Sequence, residues 1–140
     1  MLTNPYFVAL VIPIVLLLAG AFGKKLVRGS PWIRKDFYLG VEFTMAALSS
    51  AFVYIFDMVK LIPLTNLTAE QQQVLHKGLI SNGVFIVISF ILLLVVLSIH
   101  QDCENNKSKP KEQFLILGFV SNFIGLGLIA GFIITVKGIK

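Results

Sequence analysis

KDFYLGVEFTMAALSSAFVYIFDMVK, residues 35–60, is an apolar stretch of about bilayer length that carries a carboxylate, Glu42, well inside it. Wound as a helix at about 100° per residue, it places Glu42, Ala46, Ser49, Val53 and Asp57 on one stripe, with Tyr38 and Ser50 at the edges. Thr44, Ala47 and Ala51 form a second stripe of small residues on the opposite side. A helix that is small on two faces can approach neighbours closely on both, so this one is expected at the centre of the molecule.

The rest of the chain supplies those neighbours. Hydrophobic residues make up 56 % of the 140 and charged residues only 14 %, and the mean hydropathy is +0.87. A soluble domain of this length has too much surface for its volume to hide so much apolar area, so lipid is expected to cover the remainder. Beside Phe37–Phe56 of that stretch, three further apolar runs follow this logic: Phe7–Phe22, Leu79–Ile99 and Phe114–Val136. At about 1.5 Å per residue the four runs measure roughly 24 to 35 Å, against a hydrocarbon core of about 30 Å. The first reaches full length when extended to Pro5. The ten-residue alternation of a transmembrane barrel is absent from the sequence. The fold class is therefore all-α: an integral membrane protein with four transmembrane helices in an up-down bundle. It forms one domain over residues 1–140, with helices at about 5–23, 31–60, 79–100 and 111–137.

Local signals mark the connections. Pro13 removes one backbone hydrogen bond from the first helix, and Ala9, Ala19, Gly20 and Gly23 offer places for close approach. Ser30–Pro31 reads as an N-cap followed by a first helical residue, with Trp32 at headgroup depth. Pro63 blocks continuation of the second helix. Thr68 with Gln71 forms a capping box, from which a short polar helix starts near Ala69 and could join the third span, weakened at Gly78. Asn66-Leu67-Thr68 matches a glycosylation acceptor, a triplet frequent by chance. Pro110 helps start the fourth helix. The opening MLTNPYFVALVIP has no basic segment of the signal-peptide kind, so the first helix is expected to be retained, and no lipidation box stands at either end.

Polar and small residues inside the spans carry the packing expectations. Asn82 and Ser89 lie two turns apart on the third helix, where an interhelical hydrogen bond is natural. On the fourth, Gly118, Ser121, Asn122 and Gly125 share one face, and Gly127, Ala130 and Gly131 share the opposite face. One of these faces is expected to pack within the subunit, leaving the other for a second copy or for helices of the same chain.

Orientation follows from the basic residues. Lys24, Lys25, Arg28, Arg34 and Lys35 fall in the first loop and Lys107, Lys109 and Lys111 in the third, eight of the twelve in the chain. Lys60, Lys77, Lys137 and Lys140 are the remaining four. The positive-inside rule then places loops 23–36 and 101–112 in the cytoplasm and both termini outside the cell membrane. The net charge of +5 is explained by this orientation rather than by nucleic acid. The basic first loop could also meet lipid phosphate, a nucleotide or a cytoplasmic protein partner.

The inventory of reactive groups is short. One cysteine, Cys103, allows no intrachain disulfide. His100, Asp102, Cys103 and Glu104 crowd together without the spacing of a metal site. There is no Gly-rich phosphate loop, no HExxH and no GxSxG, so neither an enzyme nor a cofactor is expected. Glu42 is the exception, because an ionised side chain in a span must be protonated, paired or in contact with water. Its expected roles are proton or cation handling, or a structural pair with Arg34 or Lys35. With Ser49, Ser50 and Asp57 it forms a polar track of the kind that lines a pore, and Asp57 with Lys60 reads as an interfacial pair. The chain resembles the small multidrug transporters in size and in having one membrane glutamate, but theirs lies in the first helix and Glu42 in the second. The expected function is that of a homo-oligomer forming a channel or membrane-perturbing assembly, as the membrane component of a bacterial multi-protein system. The alternatives are a proton- or cation-coupled transporter centred on Glu42 and a membrane anchor for a cytoplasmic partner.

Overall fold

The computed structural model describes residues 5–29, 31–32, 34–60, 67–105 and 110–138. Among these the chain is all-helical, without a strand. The long elements are α1 (Pro5–Arg28), α2 (Gly40–Val59) and α3 (Ala69–Asn105). A fourth rod is built from α4 (Pro110–Gln113), a π-helical run over Phe114–Ser121, and α5 (Asn122–Gly138). Among the described residues, three helices are long and apolar enough to cross a membrane: Gly40–Val59, Ala69–Cys103 and Lys111–Val136. Only 11 % of the apolar window of Ala69–Cys103 is buried in the protein, so its remaining surface requires an apolar solvent, and a membrane-embedded protein follows.

As its two small faces suggest, α2 is central, packed along α1, α3 and α5. Thr44, Ala47 and Ala51 are fully buried. Ala47 and Ala51 meet Phe85 of α3 and Leu128, Phe132 and Val136 of α5 in the main core. At the other end, Tyr38, Cys103 and Leu117 form a smaller cluster. Near the Glu42 end α2 approaches the fourth rod so closely that side chains are excluded. A Cβ on Gly40 would stand 2.6 Å from the carbonyl carbon of Ser121, and one on Gly125 would stand 3.1 Å from the Gly40 oxygen.

Several boundaries differ from expectation. The first helix continues past residue 23 to Arg28, so Lys24, Lys25 and Arg28 are helical and not in a loop. The second does not begin at Pro31: a bend and a 3₁₀ turn, Arg34–Phe37, intervene, and α2 starts at Gly40. The reason is tertiary, since the chain between the helices is held from both sides, as described below. The polar helix at Ala69 and the third span are one unbroken 37-residue helix. The Thr68 capping box is formed in both directions, with Thr68 N donating to Gln71 Oε1 at 2.9 Å and Gln71 N donating to Thr68 Oγ1 at 3.3 Å. Pro63, Asn66, Lys107, Lys109 and Lys140, and with Asn66 the acceptor triplet, lie outside the described residues.

Candidate functional site

Glu42 sits in the first turn of α2, opposite Gly20 of α1. A Cβ on Gly20 would come within 2.6 Å of Glu42 Cγ, so the missing side chain is what lets the glutamate lie against the α1 backbone. One turn further along α1, Lys24 shares the face of Gly20 and closes over it. Lys24 Nζ is 2.6 Å from Glu42 Oε1 and donates to the Tyr38 carbonyl oxygen at 2.7 Å. The glutamate side chain is 17 % exposed. Its second oxygen, Oε2, is buried and has no hydrogen-bond partner among the described residues. Among the described residues the cationic partner is thus Lys24; the side chains of Arg34 and Lys35, the partners expected from the sequence, lie outside them.

The adjoining turn is tied to α1 by a second ion pair. Arg28 approaches Asp36 through both guanidinium nitrogens, Nη1 to Oδ1 in a very short contact and Nη2 to Oδ2 at 2.8 Å. Nη2 also donates to the Pro31 carbonyl at 2.7 Å. Asp36 is only 1 % exposed, and a bidentate fork is the geometry that compensates a buried carboxylate best. The hydrogen bond that Arg28 donates to Asp36, opposed by desolvation and aided by the carboxylate's charge, holds Arg28 above its already high ordinary pKa. Lys25 takes a different partner: its Nζ lies 4.8 Å from the centre of the Trp32 ring. Trp32 in turn stands edge-on to Phe22 at 5.3 Å and stacks on Phe37 at 5.8 Å.

The polar track is only partly a single feature. Ala46 is fully buried, Ser49 is half-buried and Val53 is 37 % exposed, so the stripe opens progressively away from the Lys24–Glu42 end. Ser50 departs from it, being fully buried and engaged within the fold. Asp57 pairs with Lys60 at 3.2 Å, the interfacial pair read from the sequence. Glu42 and Asp57 are not brought together; fifteen residues of helix, about 22 Å, separate them along α2.

The two faces of the fourth rod also separate. Gly118, Ser121, Asn122 and Gly125 form the intramolecular face. Asn122 clamps the turn before α2, accepting from Leu39 N at 2.8 Å and donating to the Phe37 carbonyl at 3.0 Å. Ser121 Oγ donates to the Ile116 carbonyl, five residues back, at 3.1 Å. On the other face the glycines diverge: a Cβ on Gly131 would meet Phe85 at 3.5 Å, whereas one on Gly127 would meet nothing within 4 Å. Gly131 therefore belongs to the subunit's own packing with α3. On α3, Asn82 Nδ2 donates to the Ala51 carbonyl at 2.7 Å, the expected interhelical bond. Ser89 is equally buried, but its hydroxyl has no partner. Cys103 is buried against Tyr38 and Leu117. Where the turn meets the fourth rod, Phe37, Tyr38, Phe114, Gly118 and Asn122 line an open cleft of about 450 Å³.

The role of Lys24 was missed in the sequence, although Gly20 and Lys24 stand one turn apart on a single helical face. The Phe22–Trp32–Phe37 group and the Tyr38 cleft had no such signal, because they depend on how the intervening turn folds back. No protein-family model, curated protein or solved structure matches this chain.

Proposed function

We propose that the chain is a four-span, non-enzymatic protein of the cell membrane that handles protons or cations at Glu42. The observation that carries this reading is the half-satisfied carboxylate: one oxygen on Lys24, the other buried without a donor among the described residues. Buried polar atoms nearly always find partners, and a proton, a water or a cation is what the free oxygen can take. The apolar length of α1 supports its counting as the fourth span of an up-down bundle. The eight-to-four division of basic residues supports both termini outside and residues 23–36 and 101–112 on the cytoplasmic side. In this arrangement Glu42 lies near the cytoplasmic end of the α1–α2 seam, and the seam opens through Ser49 and Val53 toward Asp57.

The test is Glu42→Gln, which keeps the shape and removes the charge. Reconstituted in vesicles with a pH-sensitive dye, the wild type should dissipate an imposed proton or cation gradient, and the variant should lose most of that flux while remaining folded. Full flux per folded molecule, together with a lower unfolding midpoint, would make the Lys24–Glu42 pair purely structural.

A second reading is a homo-oligomer that forms a channel or a membrane-perturbing assembly between its copies, as the membrane component of a bacterial multi-protein system. The open surface at Gly127, with exposed Ala130 on the same side, favours it. A monomer in mild detergent would remove this reading and leave the first intact. The basic end remains the place for a cytoplasmic protein partner if the chain acts as an anchor.

A further inference from the structure

Two features at the Lys24–Asp36 end are left over from the reading above. The first is charge. Three cations stand near the C-terminal end of α1: Lys24, Lys25 and Arg28. Glu42 is held by Lys24 and Asp36 by Arg28. Among the described residues Lys25 has no carboxylate; it rests over Trp32, a half-exposed ring at 41 %. The second is the open cleft lined by Phe37, Tyr38, Phe114 and Gly118. The features are continuous, because Phe37 stacks on Trp32 and also walls the cleft. Leu26 and Val27, on the last turn of α1, are among the most exposed apolar residues of the chain.

We propose that this end holds one anionic phospholipid, with its headgroup phosphate on Lys25 beside Trp32 and an acyl chain in the Phe37–Phe114 cleft. Each half of the site matches one half of that molecule. A lysine above an indole offers ammonium hydrogens to an anion while its stem covers the ring. The cleft presents aromatic faces with Asn122 at its edge, and Gly118 lets the Tyr38 ring lie close against the fourth rod: a Cβ there would press on Tyr38 Cε1 at 3.0 Å. An indole at the membrane surface with its apolar neighbours turned to lipid is the environment Trp favours. A neutral lipid would fill the cleft equally well, so the selectivity resides in Lys25.

Trp32 is the only tryptophan in the chain, which makes its fluorescence a reporter inside the site. The full chain is reconstituted in phosphatidylcholine bilayers, and Trp32 is quenched by phosphatidylglycerol or phosphatidylcholine carrying bromine on the acyl chain. Wild type should prefer the anionic lipid about fivefold, the contribution of one cation near an anionic surface. Lys25→Gln should bring the preference close to one, and Lys25→Arg, which keeps charge and ring contact, should retain it. Phe114→Ala should weaken quenching by both brominated lipids while leaving their ratio unchanged. An excess of inorganic phosphate should not displace the anionic lipid; displacement would mean that phosphate alone is recognised and would overturn the acyl half. Equal quenching by the two lipids in wild type, or an unchanged preference in a folded Lys25→Gln protein, would overturn the proposal.

Discussion

Gly40→Ala tests the close approach on which the whole Glu42 end depends. The added Cβ would stand 2.6 Å from the carbonyl carbon of Ser121 and 2.7 Å from its oxygen. Carbon atoms in ordinary contact keep about 3.5–4.0 Å, so α2 and the fourth rod must part by about 1 Å. Both obstacles are backbone atoms, and no rotamer change relieves them. The Asn122 clamp lies beside this contact. A shift of about 1 Å would stretch its bonds from 2.8 and 3.0 Å to beyond about 3.5 Å, where they are lost. Overpacking costs about 1–3 kcal/mol. Each orphaned group left away from water adds roughly 1–3 kcal/mol. The better helix propensity of alanine returns up to about 1 kcal/mol. The net loss should be about 3 kcal/mol, or a fall of roughly 10 °C in the unfolding midpoint for a chain of this length. Thermal unfolding in mild detergent, followed by circular dichroism, reads it directly. Gly127→Ala is the control: nothing lies within 4 Å of its Cβ, so the midpoint should stay or rise slightly. Equal effects of the two substitutions would refute the close approach.

The clamp has a test of its own: Asn122→Ala should cost about 1–3 kcal/mol, since the Leu39 amide loses its acceptor, and guanidinium unfolding in detergent would measure it. Asp36→Asn should loosen the turn before α2, seen as faster proteolysis between Arg28 and Gly40, because Arg28 loses its carboxylate partner; the pair should hold at alkaline pH, since Arg28 is raised. Cys103 should react with a maleimide only after denaturation, on either side of the membrane, because it is buried. Topology is therefore read from Gln72→Cys and Lys111→Cys, each in a Cys103→Ser background. The first should label in intact cells and the second only after permeabilisation; the opposite pattern would reverse the orientation.

Apolar length, small-residue stripes and the capping box were legible in the sequence because each is a local pattern with one physical meaning. They place α2 at the centre, mark two small faces on the fourth helix without choosing between them, and mark Asn82 for an interhelical hydrogen bond whose acceptor, the Ala51 carbonyl, only the structure supplies. What could not be read depends on residues distant in the chain. Ser30–Pro31 is a sound start signal, yet Arg28 and Asn122 capture the following turn and delay the helix to Gly40. Gly78 suggested a break, but its backbone continues helically within α3. For Glu42, Arg34 and Lys35 are close in sequence, whereas Lys24 is brought to it because α1 runs antiparallel beside α2. Gly127 and Gly131 form one motif on paper; four residues of rotation and the bulk of Phe85 assign them to different surroundings.

The wide turns of Phe114–Ser121 also bear on how this chain can change length over generations. A helix that bonds five residues back instead of four holds extra residues in the same rise, as if they had been inserted while both ends stayed anchored. Deleting one residue within this run has somewhere to be absorbed: the turns can tighten toward ordinary helix while Asn122 and everything after it keep their azimuth. The same deletion in α2 or α5 would rotate every downstream side chain by about 100° and turn the packed face outward. The segment acts as a slip joint in an otherwise rigid register, and it stands directly before the residue that grips the turn leading into α2.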